Sequence, residues 1–128
     1  MSKDSLVVLS VDDDLFNLKL ISSLLKKNPN ISKIIEASNG LDAIEALEAN
    51  PDIGCILLDI KMPVMDGIEF LDALSAYPHF SSTPIIILTT DESRKREALD
   101  KGAYDFLLKP IRENELNQKI DRVLELYP

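Results

Sequence analysis

The chain has few of the residues that staple, ligate or anchor a protein. It holds a single cysteine, which excludes an internal disulfide, and Cys55 lies inside an apolar run where a small buried hydrophobe is the expected role. Its one histidine, His79, sits among prolines and serines with no second histidine or cysteine to serve it, and so reads as a surface-loop residue rather than a catalyst. No apolar run approaches the roughly 18 residues of a membrane span. Residues 1–5 lack the apolar segment of a secretion signal, so a soluble, cytoplasmic protein with no membrane contact is expected. Positive charge is scarce, with 14 basic against 22 acidic residues and a net charge of −8. The one short basic cluster, Arg94-Lys95-Arg96, is flanked by Asp91, Glu92 and Glu97 and reads as a solvated helix face, so direct nucleic-acid binding is not expected. Repeats, linkers and low-complexity segments are absent, and the 128 residues read as one domain, 1–128, long enough to bury a full core.

What the chain does have is alternation. Leu6 to Val11, Cys55 to Leu58 and Ile85 to Leu88 are short, nearly continuous apolar runs, the pattern of strands buried on both faces. A weaker strand is expected at 33–37 and a fifth at 104–108. Between them Leu18, Ile21 and Leu25, then Leu41, Ile44 and Leu47, then Ile68, Leu71 and Leu74 recur at helical spacing. A fourth helix, 92–101, carries little beyond Ala98 and Leu99 as an apolar face and should be the least firmly anchored. Leu116, Ile120, Val123 and Leu124 mark the last helix. The fold class is therefore α/β: a five-stranded parallel sheet flanked by five helices, with the most apolar strands central and the order 2-1-3-4-5.

In such a sheet all strand ends face one way, and here they are polar. Asp12 and Asp13, Asp59, Thr89 and Lys109 converge on one rim from four strands. A single strand-end aspartate is equally what a turn would supply; the convergence is what points to a site. Three aspartates about 5 Å apart repel by roughly 3 kcal/mol per pair at an effective dielectric near 20, which favours a shared cation. Oxygen-only ligands with no histidine or cysteine indicate a hard divalent ion, Mg²⁺ before Ca²⁺. A cation, a lysine and a hydroxyl around one carboxylate are parts for stabilising a phosphoryl group in transfer, with Asp59 the candidate acceptor and Asp12 and Asp13 a pair suited to metal.

The combination of Val11-Asp12-Asp13-Asp14, Leu57-Leu58-Asp59-Ile60-Lys61-Met62-Pro63-Val64-Met65-Asp66-Gly67, Thr89 and Gly102-Ala103-Tyr104-Asp105-Phe106-Leu107-Leu108-Lys109-Pro110 resembles the receiver domains of two-component response regulators, chemotaxis regulators among them. The resemblance spans nearly the whole chain. It implies that Asp59 is the phosphoacceptor, that Asp13 and Asp59 ligate Mg²⁺ directly with the Lys61 carbonyl, and that Asp12 acts through water. It also implies that Thr89 and Lys109 contact the phosphoryl group, that the bond before Pro110 is cis, and that Phe106 is the aromatic switch residue. Tyrosine is common at that position, and phenylalanine cannot make the hydroxyl contact, so packing alone must separate its states. The implied partners are a histidine kinase or histidine phosphotransfer protein, an output protein or domain bound by the face of the fourth helix, fifth strand and fifth helix, and a phosphorylation-dependent dimer.

Two other readings fit parts of the chain. A haloacid-dehalogenase-like phosphatase would use Asp12 of Asp12-Asp13-Asp14 as nucleophile, but leaves Asp59 unexplained. An FMN binder shares the fold, yet three aspartates in its first loop would repel a phosphate. The receiver-domain resemblance also implies that Lys61 and Asp91, two residues after Asp59 and Thr89, flank the approach of hydrolytic water; paired across the mouth, and lacking an amide to orient that water, they predict slow self-dephosphorylation.

Overall fold

The computed structural model describes residues 6–80 and 82–126. Residues 1–5, read above as too polar for a secretion signal, lie outside that range, as does Ser81 of the connector before the fourth strand. Strands and helices alternate in the order β1 Leu6–Val11, α1 Leu15–Lys26, β2 Ile31–Ala37, α2 Gly40–Ala49, β3 Cys55–Leu58, α3 Gly67–Leu74, β4 Ile85–Thr89, α4 Lys95–Asp100, β5 Asp105–Leu108 and α5 Glu113–Leu126. Every strand pair is parallel, and the sheet order is β2-β1-β3-β4-β5, as the apolarity of the three central strands requires.

Alternate residues of each strand feed two apolar layers. Val7, Leu9, Ile56, Leu58, Ile85 and Ile87 face α2 and α3, while Val8, Cys55, Leu57, Ile86 and Leu88 face α1 and α5. Leu9, Ile56, Leu57, Leu58, Ile86 and Ile87 are wholly buried, each contributing about 1.5–3 kcal/mol relative to exposure. That packing fixes the level of the strand ends. Val11 pairs with Leu58, Leu58 with Ile87, and Thr89 with Leu108. The ladder then runs one step further, with Asp12 N–H donating to the Ala37 carbonyl, Asp59 N–H to Val11 and Lys109 N–H to Thr89. The four residues that follow or end these strands are thereby held on one rim.

The largest departures from the sequence expectation are at β2 and the fourth helix. β2 begins at Ile31 rather than 33, because the edge position leaves Ile31, Ile34 and Ile35 only half-buried and blurs the apolar signal there. The helix expected over 92–101 is a single 3₁₀ turn, Glu92–Arg94, followed by a six-residue α4. Its cause is local: the Asp91 carboxylate accepts from the N–H of Ser93 and starts a tight turn before the helix proper. α3 starts cleanly, by contrast, since Asp66 and Glu69 cap each other's backbone N–H groups.

Candidate functional site

Asp59 ends β3 in a nearly closed position, 9% exposed. Its Oδ1 accepts from its neighbour Ile60 N–H at 2.8 Å, and its Oδ2 accepts from the Lys109 ammonium at 3.3 Å. Asp12 is equally sheltered: its Oδ1 accepts from Asp14 N–H at 2.9 Å and its Oδ2 from Lys109 at 2.8 Å. Lys109 follows β5, which stops where Leu108 pairs with Thr89, and the Lys109–Pro110 bond is cis. Asp13 is exposed, yet one carboxylate oxygen from each of Asp12, Asp13 and Asp59 lies within 4.8 Å of the others. Thr89 is buried, and its hydroxyl oxygen accepts from Asp91 N–H at 3.3 Å. Phe106 is buried on β5, and the ammonium of Lys95, the first residue of α4, lies 5.5 Å from its ring centre.

Lys61 and Asp91 do not form the ion pair expected of them. Asp91 is committed to Ser93, accepting from both its N–H and its hydroxyl, and Lys61 is exposed with no hydrogen bond or ion pair among the described residues. The Ser93 hydroxyl holds the Asp91 carboxyl below its ordinary range, with the charge of Lys61 a lesser contributor. An Asp-x-Ser cap two residues away wins over a long side chain crossing solvent, which also loses rotamer entropy on pairing.

Burial raises the Asp59 carboxyl above its usual value, Lys109 opposes that rise, and Asp12 adds to it. Burial alone would lower the Lys109 ammonium; the Asp12 hydrogen bond and the charge of Asp59 outweigh it and raise the ammonium instead. The folded chain therefore holds the Asp59 proton more tightly than the unfolded chain does. Its stability falls as pH rises from the ordinary carboxylate value through the raised folded one. Asp59→Asn is expected to remove that loss and stabilise the neutral protein by up to roughly 3 kcal/mol, the ceiling set by two carboxylates about 5 Å apart. Urea unfolding should show the gap between variant and wild type narrowing as pH falls through the raised carboxyl toward the ordinary carboxylate value. A gap that is constant with pH would contradict the electrostatic account.

The sequence signal missed Gly67. A Cβ on this residue would lie 2.8 Å from the Ile60 Cα and closer still to the Asp59 carbonyl oxygen, so α3 can start where it does only on glycine. The Asp66-Gly67 pair after the loop is its only trace in the sequence. The backbone N–H of Ile60, which orients Asp59, leaves no trace in sequence at all.

A doubly wound parallel sheet with an all-oxygen acidic pocket at its carboxyl edge defines the class, and comparison with known proteins gives the family. Residues 8–121 match the response regulator receiver domain, and the chain belongs to that family: it is a receiver domain of two-component signalling. It is 43% identical over 109 residues to a protein-glutamate methylesterase/protein-glutamine glutaminase of Desulfotalea psychrophila, covering 83% of this chain and 29% of that protein. It is 36% identical over 123 residues to the signal transduction histidine-protein kinase BarA of Escherichia coli, covering 94% of this chain and 13% of that protein. The chain thus spans less than a third of either relative. The structure of the chemotaxis response regulator CheY4 of Vibrio cholerae superposes with a TM-score of 0.81 at 31% identity, covering 92% of this chain and 98% of that one. The dehalogenase-like phosphatase reading of Asp12 finds no support in the family match. No helix among the described residues is long and apolar enough to cross a membrane.

Proposed function

We propose that residues 1–128 act as one phosphoacceptor unit of a two-component relay, in which Asp59 takes a phosphoryl group from a phosphohistidine of a histidine kinase or histidine phosphotransfer protein. The observation that carries this reading is Asp59 itself, sheltered at the end of the central strand with Lys109 on one of its oxygens. A carboxylate oxygen of Asp59 attacks phosphorus in line; the phosphorus–nitrogen bond to the donor imidazole breaks, and the leaving imidazole keeps the electron pair and is reprotonated from solvent. Lys109 moves from pairing the two carboxylates to pairing the phosphoryl oxygens, and the Thr89 hydroxyl donates to one of them.

Asp12, Asp13 and Asp59 form an oxygen-only set that fits a hard divalent ion, to which the Lys61 carbonyl would add a fourth oxygen, and the close approach of three carboxylate oxygens is the observation favouring one. Asp13 and Asp59 would ligate Mg²⁺ directly and Asp12 through water; the ion supplies neutralisation of charge on the transferring group. Beside Lys109 runs an apolar groove of about 340 Å³ lined by Phe16, Leu20, Pro110 and Ile111, with Phe16 largely exposed. It offers the donor protein a footing next to the acceptor. Neither Lys61 nor Asp91 carries an amide to orient hydrolytic water, which supports slow self-dephosphorylation. When Thr89 turns to the phosphoryl group, Phe106 follows into the space released, and the face of α4, β5 and α5 changes toward an output partner or a second copy of the domain.

Acetyl phosphate with Mg²⁺ should add one acid-labile phosphoryl group to the wild type, seen by intact mass. Chelation by EDTA should stop the addition, and Asp59→Asn should show none. Continued labelling of Asp59→Asn would overturn the assignment.

A further inference from the structure

α4 has too little buried surface to be held by packing. It is six residues long, Ala98 is its only buried residue, Leu99 is half-buried, and its start has no side-chain cap. Charged side chains hold its two ends instead. At the amino end the Lys95 ammonium sits over the Phe106 ring; at the other, the Lys101 ammonium donates to the Asp72 carboxylate of α3 at 2.8 Å. Beside Lys101 lies a crevice of about 160 Å³ lined also by Leu71, Leu74 and Phe80, so apolar packing between the end of α4 and α3 is incomplete where the ion pair forms. The Asp72 hydrogen bond raises the Lys101 ammonium above its usual value, as a formed contact should.

We infer that Asp72 and Lys101 form a latch, with Lys95 on Phe106 as its second point, that holds α4 in the resting position by charge, so that the readiness of the switch face to move depends on ionic strength. The inference rests on the reading of α4 as part of the switch. Neither latch residue touches the acceptor, so both are positioning residues that act through α4. Opening the latch destabilises the resting arrangement without altering the phosphoryl site, and shifts the population toward the arrangement that accepts the phosphoryl group.

Amide hydrogen exchange over 96–102 tests this on the unphosphorylated protein. At low salt, Lys101→Met and Asp72→Asn should each speed exchange there by about threefold, the size set by an exposed charged pair. The swap of Asp72→Lys with Lys101→Asp should restore protection, and high salt should bring the wild type to the level of the single variants. Lys101→Met should also take phosphoryl from acetyl phosphate faster than wild type by a similar factor. Equal protection in wild type and single variants, or a swap that restores nothing, would overturn the latch. Beryllofluoride with Mg²⁺ should separately speed exchange of α4 in the wild type; no change there would sink the switch reading, whatever the salt and swap results say about how α4 is held.

Discussion

Gly67→Ala is expected to lower the stability of the domain by about 3 kcal/mol, at the upper end of the range for overpacked sites. The added methyl would have to occupy space held by the Asp59–Ile60 backbone, with the Ile60 Cα at 2.8 Å and the Asp59 carbonyl oxygen nearer still, and backbone cannot rotate away as a side chain can. Gly67 N–H also donates to the Ile60 carbonyl at 2.8 Å, so pushing α3 back breaks the bond that sets the end of β3. In a chain of 128 residues this corresponds to a melting temperature about 10 °C lower. Because the displaced segment carries Asp59, phosphoryl uptake should fall with stability. Gly102→Ala is the control: its φ of +107° strains any side chain, but nothing lies within 4 Å of a Cβ there, and about 1–2 kcal/mol is expected. Thermal unfolding of the two variants side by side checks the argument, and equal losses would show that crowding at Asp59 is not what Gly67 relieves.

Lys109→Met should slow phosphoryl uptake from acetyl phosphate by about a hundredfold or more, the loss typical when one charged donor to a developing anion is removed. Methionine keeps the aliphatic length and discards only the cation. The same substitution leaves Asp12 and Asp59 facing each other without their shared partner, which drives the proton affinity of Asp59 further up. A carboxyl raised in the folded state costs stability as pH rises through its folded value, so Lys109→Met should be destabilised at neutral pH and recover toward wild type on acidification. Asp59→Asn has the opposite sign at neutral pH. Uptake rates and urea unfolding at two pH values read both effects; uptake near the wild-type rate would remove Lys109 from the proposed chemistry.

The sheet was legible because its signal is local and strong: four or more consecutive apolar residues in β1, β3 and β4 can be buried only between two helical layers. The convergence of Asp12, Asp13, Asp59, Thr89 and Lys109 followed from one geometric fact, that parallel strands end on the same side. What escaped the sequence depends on competition between neighbours. Nothing in Lys61 or Asp91 alone says that Ser93 will claim the carboxylate first, and nothing in the run 31–35 says that an edge strand will tolerate Ser32 and Lys33 on its open side. Val64 adopts φ +67°, a conformation that a β-branched residue disfavours, and the turn between Pro63 and Met65 imposes it from outside its own preference. The Lys101 contact to Asp72, between residues 29 positions apart, likewise exists only once α3 and α4 are packed side by side.

The central claim is that Asp59 is the residue that carries the phosphoryl group. An aspartyl phosphate is reduced by borohydride to homoserine, which marks the modified position permanently in a peptide. After reaction with acetyl phosphate and Mg²⁺, reduction and peptide mapping should place homoserine at 59 and leave Asp12, Asp13 and Asp14 unchanged. Homoserine at 12, or none anywhere in a protein that has gained a phosphoryl group, would contradict the account.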